Sequence, residues 1–384
     1  MGRVLFVAAV AGIFWWSLRG SVMGSRSALF GGRDLEPVAG AVAFTLTDPQ
    51  GGIASLQVVD AVGGEARLLG GEVDAQSPPS WSPDHERVAY ATSSTQVVRT
   101  VAGGDGDPIQ VTAATEDFTK DSEPAWSPDG TQLAFLSVHR DKVAISSVHV
   151  VPAAGGAPRR IGPDPREYQQ CFTPLRETVC QAWPTGDAEE LAWLSGSELV
   201  YSTTVVRDDD PAVPYPPYRA AHGLYRADLD GSPPQLVAEI EAPADALVPS
   251  PDGRFLLYGQ QGGTTRVLEL ASGRSWEIGH VTDPSWSADG GRLLFVRAGS
   301  VYTSSFDGSD RVNLTHTSSG RESSEELIAT SAVWSPDGAH IAFIAGDGLG
   351  HTSLFVANAD GTGWTEIFVT DGGLAWPHWL PWQS

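Results

Sequence analysis

The sequence predicts an all-β fold, a seven-bladed β-propeller of four-stranded antiparallel blades whose ring is closed by pairing of the C-terminal strand with the N-terminal blade. Three observations predict it. A strand, a Ser-Pro-Asp-Gly-type turn and a second strand recur along the chain; first strands and second strands each number seven; and the chain opens on the second strand of a unit and closes on a first strand. The two orphan strands complement each other, and pairing them removes the open edges an incomplete ring would expose.

The repeat is visible by self-comparison. PSWSPDHERVAYA (79–91) returns as PAWSPDGTQLAFL (124–136), PSWSADGGRLLFV (284–296) and AVWSPDGAHIAFI (332–344). A weaker copy, LVPSPDGRFLLYG from 247, has Pro249 in place of Trp, and a degenerate one, LAWLSGSELVYS from 191, lacks both Pro and Asp. Trp81, Trp126, Trp286 and Trp334 each end a short strand, and Trp379 in PHWLP marks the closing one. In the turn, Pro presets φ, the side chain of Asp84, Asp129, Asp252, Asp289 or Asp337 caps it, and Gly takes positive φ. These residues recur from copy to copy, so their expected role is structural. An alternating run follows each turn (Leu133 and Phe135, Leu293 and Phe295, Ile341 and Phe343) and reads as the next strand. Second turn signals at Gly155-Gly156, Asp230-Gly231, Asp307-Gly308 and Asp360-Gly361 introduce the fourth strand. Four antiparallel strands every 40–50 residues make a propeller blade.

Ahead of the repeat, residues 4–18 form an uncharged apolar run of 15 after Arg3. That is short for a span of about 20 residues and fits the core of a secretory signal. Val22 and Gly24 offer small residues around a cleavage point, while Arg19, Arg26 and Arg33 also suit a retained anchor. The expected organisation is a signal peptide or signal anchor over 1–24, a linker over 25–37 and the propeller over 38–382. The chain is then exported to a periplasmic or other extracytoplasmic space, or held at the membrane by its N-terminal segment. A start at Met23 would remove that signal.

Composition narrows the function. With 24 Lys+Arg against 47 Asp+Glu, the formal charge of −23 repels the phosphates of nucleic acid and of anionic lipid. Nucleic acid is excluded as a partner, and membrane contact is expected only through the N-terminal segment. Gly (43) and Pro (27) are too frequent for a helical bundle. The cysteines, Cys171 and Cys180, are too few for a Cys-rich zinc site. They form one local disulfide if the chain leaves the cytosol, stabilising by roughly 2.5 kcal/mol, or else stand as two free thiols.

The W-S-P-D-G-x-x-[LIV]-A-[FY] unit resembles the WD40-like repeat named PD40, found in TolB-type proteins and in prolyl-oligopeptidase-type propellers. The resemblance covers the chain from about residue 38 and implies a propeller rather than any single activity. TolB itself carries an additional α/β domain before six blades; this chain has seven blades and no room for that domain.

Loop lengths point to a site. Turns joining strands one to two and three to four share one face of the ring, and here all are tight. The other face receives the long segments 113–123, 162–189, 205–221 and 315–331, and the two longest flank blade 4. Long ordered loops on a rigid scaffold usually carry binding. These two hold Arg166, Tyr168, Arg176, Trp183, Arg207, Tyr215, Tyr218 and Arg219, the residue types enriched in interface hot spots. Asp208-Asp209-Asp210 reads as a solvated charge run, not a cation site. There is no G-x-S-x-G elbow, no H-E-x-x-H and no room for a hydrolase domain. The nine histidines are scattered, although His222, His351 and His139 fall toward the loop face. No catalytic residue, metal or cofactor is expected. The expected function is therefore a monomeric, non-catalytic scaffold that binds a protein or peptide of the cell envelope. The alternative is a carbohydrate-active enzyme similar to the seven-bladed oligogalacturonate lyases, which requires a histidine cluster and a metal at the same face.

Overall fold

The computed structural model describes residues 38–48, 54–93, 98–102, 107–113, 118–139, 146–162, 166–172, 179–185, 188–206, 220–260, 263–315 and 327–380. The signal or anchor (1–24) and the linker (25–37) lie outside the described residues. Blade 1 contains β1 (Ala41–Thr47), β2 (Ala54–Asp60) and β3 (Arg67–Val73). Blade 2 contains β4 (Ser80–Trp81), β5 (Arg87–Ala91), β6 (Val98–Ala102) and β7 (Ile109–Gln110). Blade 3 contains β8 (Phe118–Trp126), β9 (Gln132–His139), β10 (Ser146–Pro152) and β11 (Arg159–Arg160). A separate hairpin of β12 (Arg166–Phe172) and β13 (Val179–Thr185) precedes blade 4, which contains β14 (Ala188–Ser195), β15 (Glu198–Val206), β16 (Ala220–Asp228) and β17 (Gln235–Ile240). Blade 5 contains β18 (Ala244–Pro249), β19 (Phe255–Gln260), β20 (Thr265–Glu269) and β21 (Ser275–Gly279). Blade 6 contains β22 (Thr282–Trp286), β23 (Arg292–Arg297), β24 (Ser300–Ser305) and β25 (Val312–Asn313). Blade 7 contains β26 (Ile328–Trp334), β27 (His340–Gly346), β28 (Thr352–Asn358) and β29 (Thr365–Thr370), and the last strand is β30 (Gly373–Leu380).

Seven four-stranded antiparallel sheets thus make the ring, and β30 closes it. Strand β30 is the inner strand of blade 1, paired with β1 from Ala41↔Leu380 to Thr47↔Gly373. Trp379 is 2% exposed, donates from Nε1 to the Ala39 carbonyl at 3.3 Å, and packs against Val42 and Phe44. The seam is tied on its other side as well. His378 stacks on Trp81 of blade 2 (centroids 5.3 Å apart, planes within 7°), and its Nε2 lies 3.3 Å from His85 Nδ1. Burial there pushes the His378 pKa down to about 3, with a smaller contribution from His85.

The turns form as the repeat requires. In blade 3, Gly130 N donates to Ser127 O at 2.8 Å, and Gly130 has φ of 69°. Ser127 Oγ donates to Asp129 Oδ1 at 2.6 Å and accepts from Gln132 N at 3.0 Å, so one hydroxyl links the Asp to the start of the next strand. The same bonds recur around Asp84, Asp252, Asp289 and Asp337. In each, the Ser hydroxyl first and then a backbone N–H two residues on hold the Asp below the ordinary carboxylate range. His85 stands where the other copies have Gly and keeps the left-handed backbone, at φ 57°. The repeat Trp residues also staple blades together: Trp193 Nε1 donates to Ala125 O at 3.0 Å, and Trp286 Nε1 to Val248 O at 2.9 Å.

Between blades the core is layered by strand alternation. Leu133, Phe135 and Val151 of blade 3 meet Ala89 and Val98 of blade 2. Third-strand aromatics stack on the second strand at equivalent places, as in Phe343–Phe355 (5.1 Å), Phe295–Tyr302 (6.0 Å) and Tyr201–Tyr225 (5.9 Å). Such cross-strand ring pairs contribute beyond their buried area.

The long connections are shorter than their sequence suggests. Segment 113–123 is half strand, because β8 begins at Phe118; 315–331 ends in β26, and 162–189 contains the β12–β13 hairpin and the start of β14. The physical reason is a register shift in the inner strands, seen at Ser122/Ala125, Ala188/Glu190, Ala244/Ala246, Thr282/Ser285 and Ala329/Ser331. The extra residue breaks the two-residue alternation, so the strand resumes beyond the point where its pattern stops.

Candidate functional site

The shifted inner strands bring carboxylates to the mouth of the ring on the face that bears the inter-blade connections. Three residues before the repeat Trp, Glu123, Asp283 and Trp376 all take left-handed backbone, at φ 51°, 46° and 48°. Non-glycine residues held there are uncommon and turn the side chain away from the strand's ordinary direction. Glu190 occupies the same place in blade 4, and Asp245 lies one residue before it in blade 5. Inner strands of successive blades are neighbours, β8 to β14 and β14 to β18. Glu123, Glu190 and Asp245 therefore form an arc across blades 3, 4 and 5.

The arc resists full ionisation. Burial first, and then the charges of Glu123, Asp245 and Glu189, raise the Glu190 pKa to about 8. Burial and the Asp74 charge raise Glu123 to about 7, opposed by Lys120. Asp245 and Asp283 are reached by water yet walled by protein, which pushes both upward; the Ser331 hydroxyl opposes this at Asp283. Glu123 and Glu190 thus both hold their protons toward neutrality, and a charge on Glu123 favours the protonated form of Glu190. At the blade 2 end, Lys120 Nζ sits 2.8 Å from Asp74 Oδ2. Burial alone would raise Asp74, but Lys120 and the Gln76 N–H outweigh it and hold that carboxyl low.

Beside the arc, Glu189 accepts from Thr204 Oγ1 at 3.0 Å and lies 3.0 Å from His222 Nδ1. Its Oε2 is buried and has no partner among the described residues. The β15–β16 ladder continues outward to Val206↔Ala220, so blade 4 extends further at this face than its tight turns do at the other. The β12–β13 hairpin stands against β15. A wall of two hairpins therefore borders an acidic opening.

Of the residues expected to bind, Arg166 and Tyr168 lie on β12 and Trp183 on β13; the register pairs Tyr168 with Trp183 and Arg166 with Thr185. The backbone register also sets Cys171 opposite Cys180, the placement a local disulfide needs. Arg176, Arg207, Tyr215, Tyr218 and Arg219 lie outside the described residues, as does the 208–210 acidic run. The arc itself was not legible as a site, because its members share no spacing; only alignment on the repeat Trp puts Glu123, Glu190 and Asp283 in one column.

Apart from the His85–His378 pair at the seam, no histidines are paired with one another among the described residues. His222 keeps to Glu189 on blade 4, and on blade 7 His351 lies 2.8 Å from Asp347 and 3.4 Å from Asp371, which raise its pKa. No group of three His, Cys, Asp or Glu able to hold a metal occurs among the described residues. No described helix is long and apolar enough to cross a membrane.

No known protein-family model matches the chain. Among solved structures it is similar to an oligogalacturonate lyase in complex with manganese, at 13% identity over 79% of this chain and 82% of that chain, with a TM-score of 0.54. A second oligogalacturonate lyase, from Vibrio parahaemolyticus, matches at 12% identity over 86% of this chain and 96% of that chain, also with a TM-score of 0.54. TolB from Acinetobacter baumannii matches at 16% identity over 89% of this chain and 67% of that chain, with a TM-score of 0.47. At these identities the likeness is one of fold.

Proposed function

We propose that this chain is a PD40-type, TolB-like binding propeller without catalytic chemistry, exported or tethered through residues 1–24, which captures a protein or peptide of the cell envelope. Recognition takes place at the face bearing the inter-blade connections, in front of blade 4. The arc of Glu123, Glu190 and Asp245 beside the β12–β13 and β15–β16 hairpins carries this reading. A cation entering this low-dielectric opening lowers the raised pKa values of the arc and is held by the carboxylates it ionises, so the captured segment is basic. The Tyr168–Trp183 pair and the Arg and Tyr residues of the neighbouring connections supply aromatic and guanidinium contacts of the kind that dominate interfaces.

Peptide display tests it. Random peptides are selected on the whole protein and counter-selected on the triple variant Glu123→Gln, Glu190→Gln, Asp245→Asn. The expected outcome is a Lys- or Arg-rich consensus that loses at least tenfold in affinity on the variant and weakens with salt. Enriched peptides that bind both proteins equally would remove the arc from the site. Depolymerisation of polygalacturonate by the purified protein would replace binding with catalysis as its function.

A further inference from the structure

One inter-blade layer departs from the others. The position five residues before the repeat Trp holds Leu374, Ala188, Ala244, Val281 and Ala329 in blades 1, 4, 5, 6 and 7, an exposed Gln76 in blade 2, and a buried Asp121 in blade 3. The pairing is equivalent: Leu374 faces Leu46, Ala329 faces Ala345, Ala188 faces Thr203, Ala244 faces Gln260, and Asp121 faces Ser137. The apolar inner-strand residue of those blades is here replaced by a buried carboxyl.

Alongside that exchange, a cavity of about 290 Å³ opens between blades 2 and 3. Exposed Ala113 and Pro158 stand at its rim, and buried Thr112, Asp121, Ser137 and His149 at its floor. Asp121 is 5% exposed and accepts from Ser137 Oγ at 2.6 Å and from Thr112. The His149 ring lies against Phe135, 5.7 Å between centroids. Among the described residues Asp121 has no ion pair, and burial pushes its pKa up. A buried carboxylate without a cation is unfavourable by several kcal/mol. A ligand that brings the cation relieves that penalty.

We propose that this cavity binds a small primary ammonium compound, its –NH3+ seated on the Asp121 carboxylate and its carbon chain against Val111, Phe135 and Pro158. The volume equals about ten water molecules at ~30 Å³ each and lies at the bottom of the ~300–1,000 Å³ range of ligand pockets. It therefore takes a short-chain amine and is too small for a nucleotide. The proposal is independent of the loop-face reading, since the two sites share no residue.

The test uses n-butylammonium as probe, n-butanol as its neutral counterpart, and ligand-observed NMR titration against the whole protein. The expected result is saturable binding of n-butylammonium, at least tenfold tighter than n-butanol. It weakens at least tenfold in Asp121→Asn and in Ala113→Trp, which fills the rim without touching the carboxyl. Equal binding of the alcohol, unchanged amine binding in either folded variant, or no saturable binding to the wild-type protein would overturn the proposal. If Asp121→Asn does not fold, Ala113→Trp decides alone. A further arm, N-acetyl-lysine methylamide, presents the same butylammonium on a peptide. Binding like that of n-butylammonium marks a peptide lysine as the source and weaker binding marks a free amine; both support the ammonium site.

Discussion

Replacing Trp379 by Ala tests whether the last strand completes the first blade. Trp379 is 2% exposed, faces Val42 across the β1–β30 pair, lies 6.2 Å from the His340 ring and donates to the Ala39 carbonyl. Large-to-small changes of a buried Trp destabilise by about 3–5 kcal/mol. The unfolding entropy is about 2.1 cal/mol/K per residue, or about 0.7 kcal/mol/K over the ~340 residues of the ring. A loss of about 4 kcal/mol then lowers Tm by about 6 °C. Calorimetric melting at pH 7 is the assay, and the account requires one transition shifted as a whole. A fall of less than about 2 °C would mean that Trp379 is not buried in solution. An unchanged main transition preceded by a small early one would mean that β30 is an appendage and the ring stays open.

Three further outcomes follow from the same geometry. Glu190 loses its proton near pH 8 in the folded chain but near 4.5 when unfolded, so the folded state holds the extra proton across that window and its stability falls as pH rises. Glu190→Gln, which mimics the protonated form, should flatten the decline of Tm between pH 6 and 8; an equally steep decline in the variant refutes the coupling. His378 behaves oppositely: its folded pKa of about 3 lies below the ordinary 6.5, so its contribution is present above 6.5 and is lost as pH falls toward 3. His378→Gln should reduce the loss of Tm between pH 6 and 4, and identical acid sensitivity would contradict its burial as a neutral ring. Gly290→Ala, at φ 70°, should cost about 1–2 kcal/mol in denaturant melts, whereas a neutral effect would deny that the turn needs left-handed backbone.

How far the sequence carries the structure depends on which residues repeat. Trp, Ser, Asp and Gly of the turn recur because one packing problem recurs, and counting them reaches seven blades and the β30 closure. What lies beyond the inner-strand bulge was hidden: at Glu123 and Asp283 the alternation breaks, so strand reads as loop and the acidic arc does not appear. The length of the 162–189 segment suggests a plain connection, although seven cross-strand pairs there form a hairpin from Arg166↔Thr185 to Phe172↔Val179. Asp121 was invisible for another reason. Its chemistry shows only when its column is compared across blades, where Leu374, Ala188, Ala244, Val281 and Ala329 are apolar and Gln76 is exposed.

Site-specific photo-cross-linking in the cell tests the binding face most directly. A photoreactive residue at exposed Glu241, in the connection between blades 4 and 5, samples the proposed face; one at exposed Ser232, in a tight turn of the same blade 4, samples the opposite face. The account predicts a discrete protein adduct from position 241, none from 232, and loss of the adduct in the Glu123→Gln, Glu190→Gln, Asp245→Asn background. An adduct formed from 232 alone, or one from 241 that persists undiminished in that background, would contradict it.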